Sequence, residues 1–261
     1  MDGQYTSDTF YHMVGFSILK DDSIAPADKL DSCFAMLKIV LDFGFIAGRN
    51  HEGAFVKKEG VVSITTNPRG HLRSGDFKGF LAKGDITCYA DIPLECIGVH
   101  ASKYGLFGFG VSARHLVALG ARPVSYVPLQ NDNAILPPYK GYGLLDNMTA
   151  EIKKLYVEVD AWENEHNPTD ESGASVIENA HPYSGLNNML TRDVAAFIKP
   201  YDSNLPFDHP ECYYMEREWR LLGNVEIKPP KVTTIVVAKG YAKRLIQEVP
   251  GAAQFHIREV G

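Results

Sequence analysis

The sequence lacks the features that define several large classes of protein. Its 261 residues contain only four cysteines and no Cys-x-x-Cys pair, which argues against a zinc ribbon or a disulfide framework. No segment approaches the ~20 consecutive apolar residues that a membrane-spanning helix needs. The N-terminal residues carry no basic segment followed by an apolar one, so no secretory signal is expected. We therefore expect a cytoplasmic protein that does not enter a membrane.

Nucleotide-binding and metal-binding motifs are also missing. There is no Gly-x-x-x-x-Gly-Lys-Ser/Thr loop, and the glycines near residue 108 do not form the Gly-x-Gly-x-x-Gly pattern of dinucleotide-binding folds. Four residues of metal-binding type lie in irregular segments without the spacing of known zinc sites: His166, His181, His209 and Cys212. We predict no structural metal.

A strongly basic character is absent too. The formal net charge is −6 at pH 7, so we expect no extended surface for nucleic acid. What the chain does have is the composition of an ordinary globular protein, with 45% hydrophobic and 22% charged residues. A buried core is therefore expected.

The order of predicted strands and helices indicates an α+β fold. Residues 9–14 are rich in aromatic and β-branched types and predict a strand, and a helix is predicted to begin near Asp28 and to end at Gly44. The apolar positions of this helix recur at three- and four-residue spacing: Leu30, Phe34, Leu37, Val40 and Leu41. Ser112 is well placed to cap a short helix over residues 113–119. Further strands are predicted at 61–66, 85–92, 104–111, 122–129, 217–227, 232–238 and 254–259, and a further helix at 240–249.

Residues 131–210 differ from the rest, because strand signals disappear and polar turn residues interrupt the segment. The apolar spacing from Leu145 to Trp162 predicts a first helix with one buried face, and residues 184–198 predict a weaker second one. We therefore predict a single α+β domain over residues 1–261, with a helical insert at about residues 131–210.

The sharpest local feature is a group of charged residues around position 218. Alternate side chains of a strand share a face, so Glu216, Glu218 and Arg220 would project together. Two carboxylates beside a guanidinium suit a reaction that develops positive charge, because a fixed carboxylate stabilises an oxocarbenium-like sugar. The alternative is a solvated edge strand whose charged side chains form cross-strand ion pairs worth ~0.2–1 kcal/mol. From the spacing alone the second interpretation is favoured.

Further residues are candidates for binding a ligand. His12 lies in the first predicted strand and could donate a hydrogen bond, although a half-buried histidine with internal partners is more common. Ser63 and Thr65 place two hydroxyl groups on one strand face, which also occurs in ordinary strands. His100 and Tyr104 stand just before a strand with several glycines. These glycines would let another group approach the backbone, or would pack tightly against a neighbour: Gly105, Gly108 and Gly110.

A thiol enzyme is a competing hypothesis, with Cys88 or Cys96 as the nucleophile beside His100 and Asp91. Such triads are defined by their geometry in space, and isolated cysteines are commonly small buried hydrophobic residues. The sequence gives this hypothesis little support.

Several blocks of the sequence, taken in order, resemble a known family. The run CYADIPLECIGVHASKYGLFGFGVSARHLVALGARPVSYVP at residues 88–128 resembles the core block of the AbiGi-type abortive phage resistance family. Residues 216–220 (EREWR) resemble the Glu-Trp-Arg signature near the end of that family. Together with FYHMV at residues 10–14, the similarity covers most of the chain outside the predicted insert.

The resemblance implies a fold distantly similar to that of ADP-ribosyltransferases, in which a bent, split β-sheet with flanking helices holds NAD in a cleft. It implies that Glu218 stabilises the sugar cation, that Glu216 orients the acceptor, and that NAD is the substrate. The residues implied to bind NAD are His12, Ser63, Thr65, His100, Tyr104 and Arg220. The acceptor of the ADP-ribose group is not specified.

The same resemblance implies an alternative without catalysis. AbiGi-type proteins are also described as the antitoxin-like half of a two-component abortive infection system. On this interpretation the chain is a regulator with an inherited fold, whose insert binds a partner toxin or a phage trigger.

Overall fold

The chain forms a mixed α+β fold around a seven-stranded sheet. A computed structural model describes residues 7–46, 86–129 and 213–261 continuously. It also describes shorter stretches between them: 150–151, 154–155, 157–159, 161–162, 165–166, 181–183, 185–186, 189–202, 205–206 and 209.

The strands of the described residues are β1 (Thr9–Val14), β2 (Phe45–Ile46), β3 (Ile86–Ala90), β4 (Phe107–Ser112), β5 (Arg122–Pro123), β6 (Ser125–Leu129), β7 (Ile198–Asp202), β8 (Glu218–Leu222), β9 (Val225–Glu226), β10 (Val232–Ala238) and β11 (His256–Val260). The continuous α-helices are α1 (Phe16–Leu19), α2 (Lys29–Phe43), α3 (Ile97–Tyr104), α4 (Ala113–Ala118) and α5 (Ala242–Glu248). Short 3-10 turns lie at Leu94–Cys96, Ala195–Phe197, Tyr213–Glu216 and Pro250–Gln254, and a π-helical turn lies at Met189–Val194.

The main sheet has the strand order β11-β10-β4-β1-β3-β8-β5. Its neighbouring strands are antiparallel except for β10 and β11, which are parallel. Two small sheets accompany it, one of β2 with β9 and one of β6 with β7. The predicted mixed α+β class is therefore confirmed. Among the described helices, none combines the length and the apolar character that crossing a bilayer requires.

The two faces of the sheet have different partners. One face, here called the core face, packs on α2 and carries the large aromatic side chains of β3 and β4, among them Tyr89, Phe107 and Phe109. The opposite face, here called the α3 face, packs on α3, where Ile97 joins Tyr11 and Val236 in a small apolar cluster. Because alternate residues of a strand point to opposite faces, each strand supplies both layers.

Local signals explain the elements that were predicted best. The buried side of α2 is formed by residues at helical spacing, Cys33, Phe34, Leu37 and Val40, and the helix ends at Gly44, whose φ of 76° is left-handed. The N-cap of α4 is Ser112, whose hydroxyl accepts a hydrogen bond from the amide of His115 at 3.4 Å. These features confirm the predicted helix ends.

The glycines before and within β4 are explained by the chain itself. A Cβ atom on Gly108 would lie 2.4 Å from the carbonyl oxygen of His12, and one on Gly105 would lie 2.7 Å from that of Val14. The tight-packing interpretation of these glycines is therefore the correct one. The predicted strand over 104–111 begins too early, because Tyr104 is the last residue of α3 and β4 starts at Phe107.

The predicted insert contains a strand as well as helical residues. Helical residues occur between 150 and 166, as expected, but the helix predicted over 184–198 gives way to a π-helical turn, a 3-10 turn and then β7. Pro200 favours extended backbone at the residue before it, and β7 gains a parallel partner in β6. The prediction that the insert contains only helices is therefore wrong, because β7 lies within it. The strand predicted at 61–66 lies outside the described residues.

Candidate functional site

A change of backbone direction precedes β8. The 3-10 turn Tyr213–Glu216 is followed by Arg217 in a left-handed conformation with φ 44°, so the strand predicted over 217–227 begins one residue later and is split between β8 and β9. Such backbone costs a non-glycine residue on the order of 1–3 kcal/mol. The Arg217 side chain is held by buried Asp91, with 2.7 Å between Nη2 and Oδ2.

Glu218 lies at the centre of a buried group of charges. Its Oε1 accepts a hydrogen bond from Nε of Arg220 at 2.6 Å, and its Oε2 accepts one from Nζ of Lys199. The same nitrogen of Lys199 lies 2.5 Å from Oε2 of Glu216, so a single cation joins both carboxylates. With Lys103, which contacts Glu216, these residues are called the Glu218 cluster below.

Several elements bring these side chains together. Lys103 and Tyr104 lie at the end of α3, and Nζ of the first and the hydroxyl of the second each lie 2.5 Å from Oε1 of Glu216. Arg220 donates through Nη1 to carbonyl oxygens of Ala196 and of β7. Because α3, β7, β8 and the turn before β8 all contribute, the cluster ties together distant parts of the chain.

Tyrosine rings cover the backbone beside Glu218. The hydroxyl of Tyr126 accepts a hydrogen bond from the amide of Glu218 at 2.7 Å. The Tyr126 ring packs edge-on against Tyr214 at 5.4 Å between ring centroids, and Tyr214 packs on Tyr201 at 5.2 Å. These rings pack beside the first residue of β8, which is Glu218 itself.

The charges of the cluster shift one another's pKa values. Burial alone raises the pKa of Glu218, but the charges of Arg220 and Lys199 outweigh it and hold this pKa at about 2. Burial also raises the pKa of Glu216, and Lys199 and Lys103 bring it below its ordinary value. For Lys199, burial lowers the pKa, whereas the two carboxylates raise it above its ordinary value. Both carboxylates are therefore ionised at neutral pH, and Lys199 is protonated.

This arrangement can stabilise positive charge but suits proton transfer poorly. A general base works best with a pKa near the operating pH, far above the pKa of about 2 that Glu218 has. Each oxygen of Glu218 already faces a cation, so a ligand that used this carboxylate would have to displace Lys199 or Arg220.

The geometry decides between the two interpretations of residues 216–220. Glu218 and Arg220 share one face of β8, as predicted, and Lys199 joins Glu216 to them although Glu216 precedes the strand. The solvated edge strand is wrong, because β3 and β5 flank β8 on its two sides and both Glu218 and Arg220 are buried.

His12 lies away from this cluster. Strand register pairs Tyr11 with Ala90 and Ala90 with Glu218, which places Tyr11 and Glu218 on the α3 face and His12 on the core face. The ring of His12 packs on Tyr89, and its Nδ1 lies 2.8 Å from the carbonyl oxygen of Cys88. His12 and Glu218 therefore do not line one pocket. Ser63 and Thr65 lie outside the described residues.

His100 and Tyr104 lie on the side of the cluster formed by α3. Their rings are 4.5 Å apart, and the Tyr104 hydroxyl reaches Glu216. Burial lowers the pKa of His100 to about 4, so its imidazole is neutral at physiological pH. The structure thus brings His100 and Tyr104 together with Glu216, Glu218 and Arg220. Their roles in binding NAD stay predictions.

The geometry gives no support to Cys88 as a thiol nucleophile. Although Cys88 is an exposed residue, the protein atoms around its thiol, together with the charge of Glu218, raise the pKa of Cys88 to about 12. A reactive thiolate needs a lowered pKa. Asp91, the proposed third member, binds the amide of Ser7 and the guanidinium of Arg217 instead. Within the described ranges, no group of three or more metal-binding side chains comes together.

Three members of the site were not predicted from the sequence. Lys199 lies in the segment predicted as helical, while Lys103 and Tyr126 lie in elements without any charge pattern. Lys103 and Tyr104 end a helix that the sequence did not predict, so there was no reason to expect both side chains at one carboxylate.

The fold and the cluster define a mixed α+β protein with a buried network of ion pairs on one face of its sheet. The model of a family described as "Putative abortive phage resistance protein AbiGi, antitoxin" matches residues 81–246. The match covers more than half of the chain, and the chain belongs to the AbiGi family. No curated protein and no solved structure matches the chain. The predicted family resemblance is confirmed.

Proposed function

We propose that this chain is the antitoxin-type component of an abortive phage-infection system, and that it acts by binding a partner toxin. The description of its family supports this role. The observation that carries the proposal is the closed state of the Glu218 cluster, in which each oxygen of the carboxylate faces a cation of the same chain.

A closed cluster favours binding over catalysis for an energetic reason. Breaking a buried ion pair by removing one partner costs about 3–5 kcal/mol. A substrate that recruited Glu218 would first have to separate it from Lys199 or Arg220, at a cost of that order. A protein that acts by binding has no such requirement, and the cluster then serves to hold its elements together.

The proposal is tested by expressing the products of the genes that flank this one, with and without this chain. We expect one of these products to arrest growth alone, and this chain to relieve the arrest and to form a stable complex with the purified product. Toxicity that this chain does not relieve, with no complex formed, would contradict the proposal.

The helical residues between 150 and 166 are the surface expected to contact the toxin. Val157 is 53% exposed there, and Val157→Asp should weaken the complex. Ile246→Asp is a matched control, because Ile246 is 45% exposed on α5, outside the insert. Equal effects of the two changes would refute the assignment of this surface.

ADP-ribosyl transfer from NAD is the second candidate function. It is favoured by the ionised state of Glu218, since a fixed negative charge is what stabilises a sugar cation. In this candidate Glu216 orients an acceptor macromolecule, and His100, Tyr104 and Arg220 contact NAD. His12 would need a role that does not involve the α3 face.

Incubation with labelled NAD and cell extract separates the two candidates. Transfer of label or release of nicotinamide that is lost in a folded Glu218→Gln variant would support the enzyme. If wild-type protein gives neither signal in the presence of its toxin or of phage lysate, the enzymatic candidate is rejected.

A further inference from the structure

A polar cleft lies on the α3 face, away from the Glu218 cluster. It has a volume of about 340 Å³ and is open to solvent. Its floor comes from β1, β10 and β11, and its wall comes from the turn that precedes α3. The lining includes Thr9, Tyr11, Glu95, Thr234, His256 and Arg258. This volume lies within the range of about 300–1,000 Å³ that small-molecule sites occupy.

Tyr11 gives the cleft a polar group that no described side chain or backbone group engages. The residue is only 5% exposed, yet it lines the cleft. Across the described residues, its hydroxyl takes part in no hydrogen bond. The hydroxyl itself reaches the solvent of the cleft, so it is free to exchange a hydrogen bond with a ligand that enters there.

Gly110 in β4 makes room for this floor. A Cβ atom at Gly110 would lie 3.0 Å from Cε1 of Tyr11, 2.8 Å from Cγ2 of Thr9 and 3.0 Å from Cβ of Thr234. The Tyr11 ring therefore lies against the backbone of β4, between two threonine side chains. This packing fixes the direction of the phenol and leaves its end facing the cleft.

Charges of opposite sign lie on two sides of the cleft. Arg258 stands on β11, Glu95 stands on the turn before α3, and Asp8 adds a second carboxylate just before β1. Burial raises the pKa of Tyr11, the carboxylate of Glu95 raises it further, and the guanidinium of Arg258 lowers it, so both charges act on the phenol. In the ranges that the structure covers, the side chains of Glu95 and Arg258 form neither an ion pair nor a hydrogen bond.

We propose that this cleft binds a small zwitterion of the α-amino acid class. The guanidinium of Arg258 and the hydroxyl of Tyr11 receive the carboxylate of the ligand, because an arginine fork matches the two oxygens of a carboxylate. Glu95 receives the ammonium group, and the threonine hydroxyls complete the polar floor. A ligand of a single charge would leave one side of the cleft uncompensated. The proposal does not rest on the antitoxin role.

The test measures binding of free α-amino acids to the full-length chain. Each is screened at millimolar concentration for a rise in melting temperature, because a ligand that binds the folded state stabilises it. The amino acid giving the largest rise is titrated by calorimetry beside its amine without the carboxylate and its acid without the amine. We expect each single-charge analogue to bind at least about tenfold more weakly, a loss of one contact of ordinary strength.

Three variants locate the site, and a fourth is the control. Tyr11→Phe, Glu95→Gln and Arg258→Gln should each weaken binding about tenfold or more. Glu158→Gln removes the same charge as Glu95→Gln from an exposed position outside the cleft and should leave affinity unchanged. Tyr11→Phe keeps the ring and its packing, so it tests the hydroxyl alone.

The proposal is overturned by any of three results. The first is the absence of a melting shift and of binding heat for every amino acid. The second is a single-charge analogue that binds as tightly as the amino acid. The third is affinity that is unchanged in Tyr11→Phe, Glu95→Gln and Arg258→Gln while the wild-type chain binds, which would place the ligand elsewhere.

Discussion

Replacing Glu218 by glutamine tests whether the cluster around it is closed. The change keeps the size of the side chain and one hydrogen-bonding oxygen, but it leaves Lys199 and Arg220 without their shared negative charge. The pKa of Glu218 falls from its ordinary value of 4.5 to about 2 in the folded chain. At about 1.4 kcal/mol per pKa unit, this shift corresponds to about 3 kcal/mol of stability. Removing one partner of a buried ion pair gives a similar cost of about 3–5 kcal/mol.

The sign of the pH dependence follows from the direction of the shift. Between the folded pKa of about 2 and the unfolded value of 4.5, Glu218 binds more protons in the unfolded state. Stability from this group is therefore complete above the unfolded pKa and is lost as pH falls toward the folded pKa. The Glu218→Gln variant should lack this component.

The assay is urea unfolding of the wild-type chain and the variant at several pH values from neutral to acidic. We expect the difference in unfolding free energy to be about 3 kcal/mol at pH 7 and to shrink in acid. Glu158→Gln is the control, because exposed substitutions usually change stability by less than about 0.5 kcal/mol. A loss below about 1 kcal/mol for Glu218→Gln, with parallel pH curves, would refute the closed cluster.

Three further changes test the cluster, the strand packing and the turn. In unfolding experiments, Lys199→Met and Glu218→Gln combined should cost less than the sum of the single changes by about 0.5–3 kcal/mol; additive costs would show that the two residues do not interact. Gly108→Ala should destabilise the fold by at least about 1–3 kcal/mol, since the added methyl group would lie 2.4 Å from a carbonyl oxygen of β1. Gly98→Ala is the control, because a methyl group there would meet nothing within 4 Å. It should be neutral or stabilising by up to about 1 kcal/mol. Arg217→Gly should be more stable than Arg217→Ala by about 1 kcal/mol, because only alanine retains the cost of the left-handed backbone; equal melting temperatures would argue against strain there.

The parts of the fold that the sequence predicts well are those with strong local signals. The apolar spacing of α2, its terminal Gly44 and the cap at Ser112 depend on residues within a few positions of one another. The β-branched run of β10 is equally local, and the observed strand Val232–Ala238 matches the predicted bounds. Such elements can be recognised without knowing what they pack against.

The parts that were missed depend on contacts between distant residues. β7 is a strand because β6 pairs with it, and the sequence does not reveal this partner. The Lys199 side chain joins the cluster from that strand, and the prediction of an insert without strands gave no reason to place this residue beside both carboxylates. The left-handed residue Arg217 likewise has no local glycine signal, because its conformation is held by tertiary contacts that include Asp91.

Helix α3 lies between the two polar regions of the molecule, the Glu218 cluster and the polar cleft. Lys103 at the end of α3 is fixed by Glu216, and Glu95 in the turn before α3 stands at the edge of the polar cleft. All members of the Glu218 cluster fall within the residues that the family model matches, whereas Tyr11 and Arg258 of the cleft fall outside them. A buried ion-pair network is specific in geometry but not necessarily more stable than apolar packing of the same volume. Because Lys103 and Tyr104 both contact Glu216, the network holds the end of α3 against the turn before β8, and Glu95 stands in the turn that leads into the same helix.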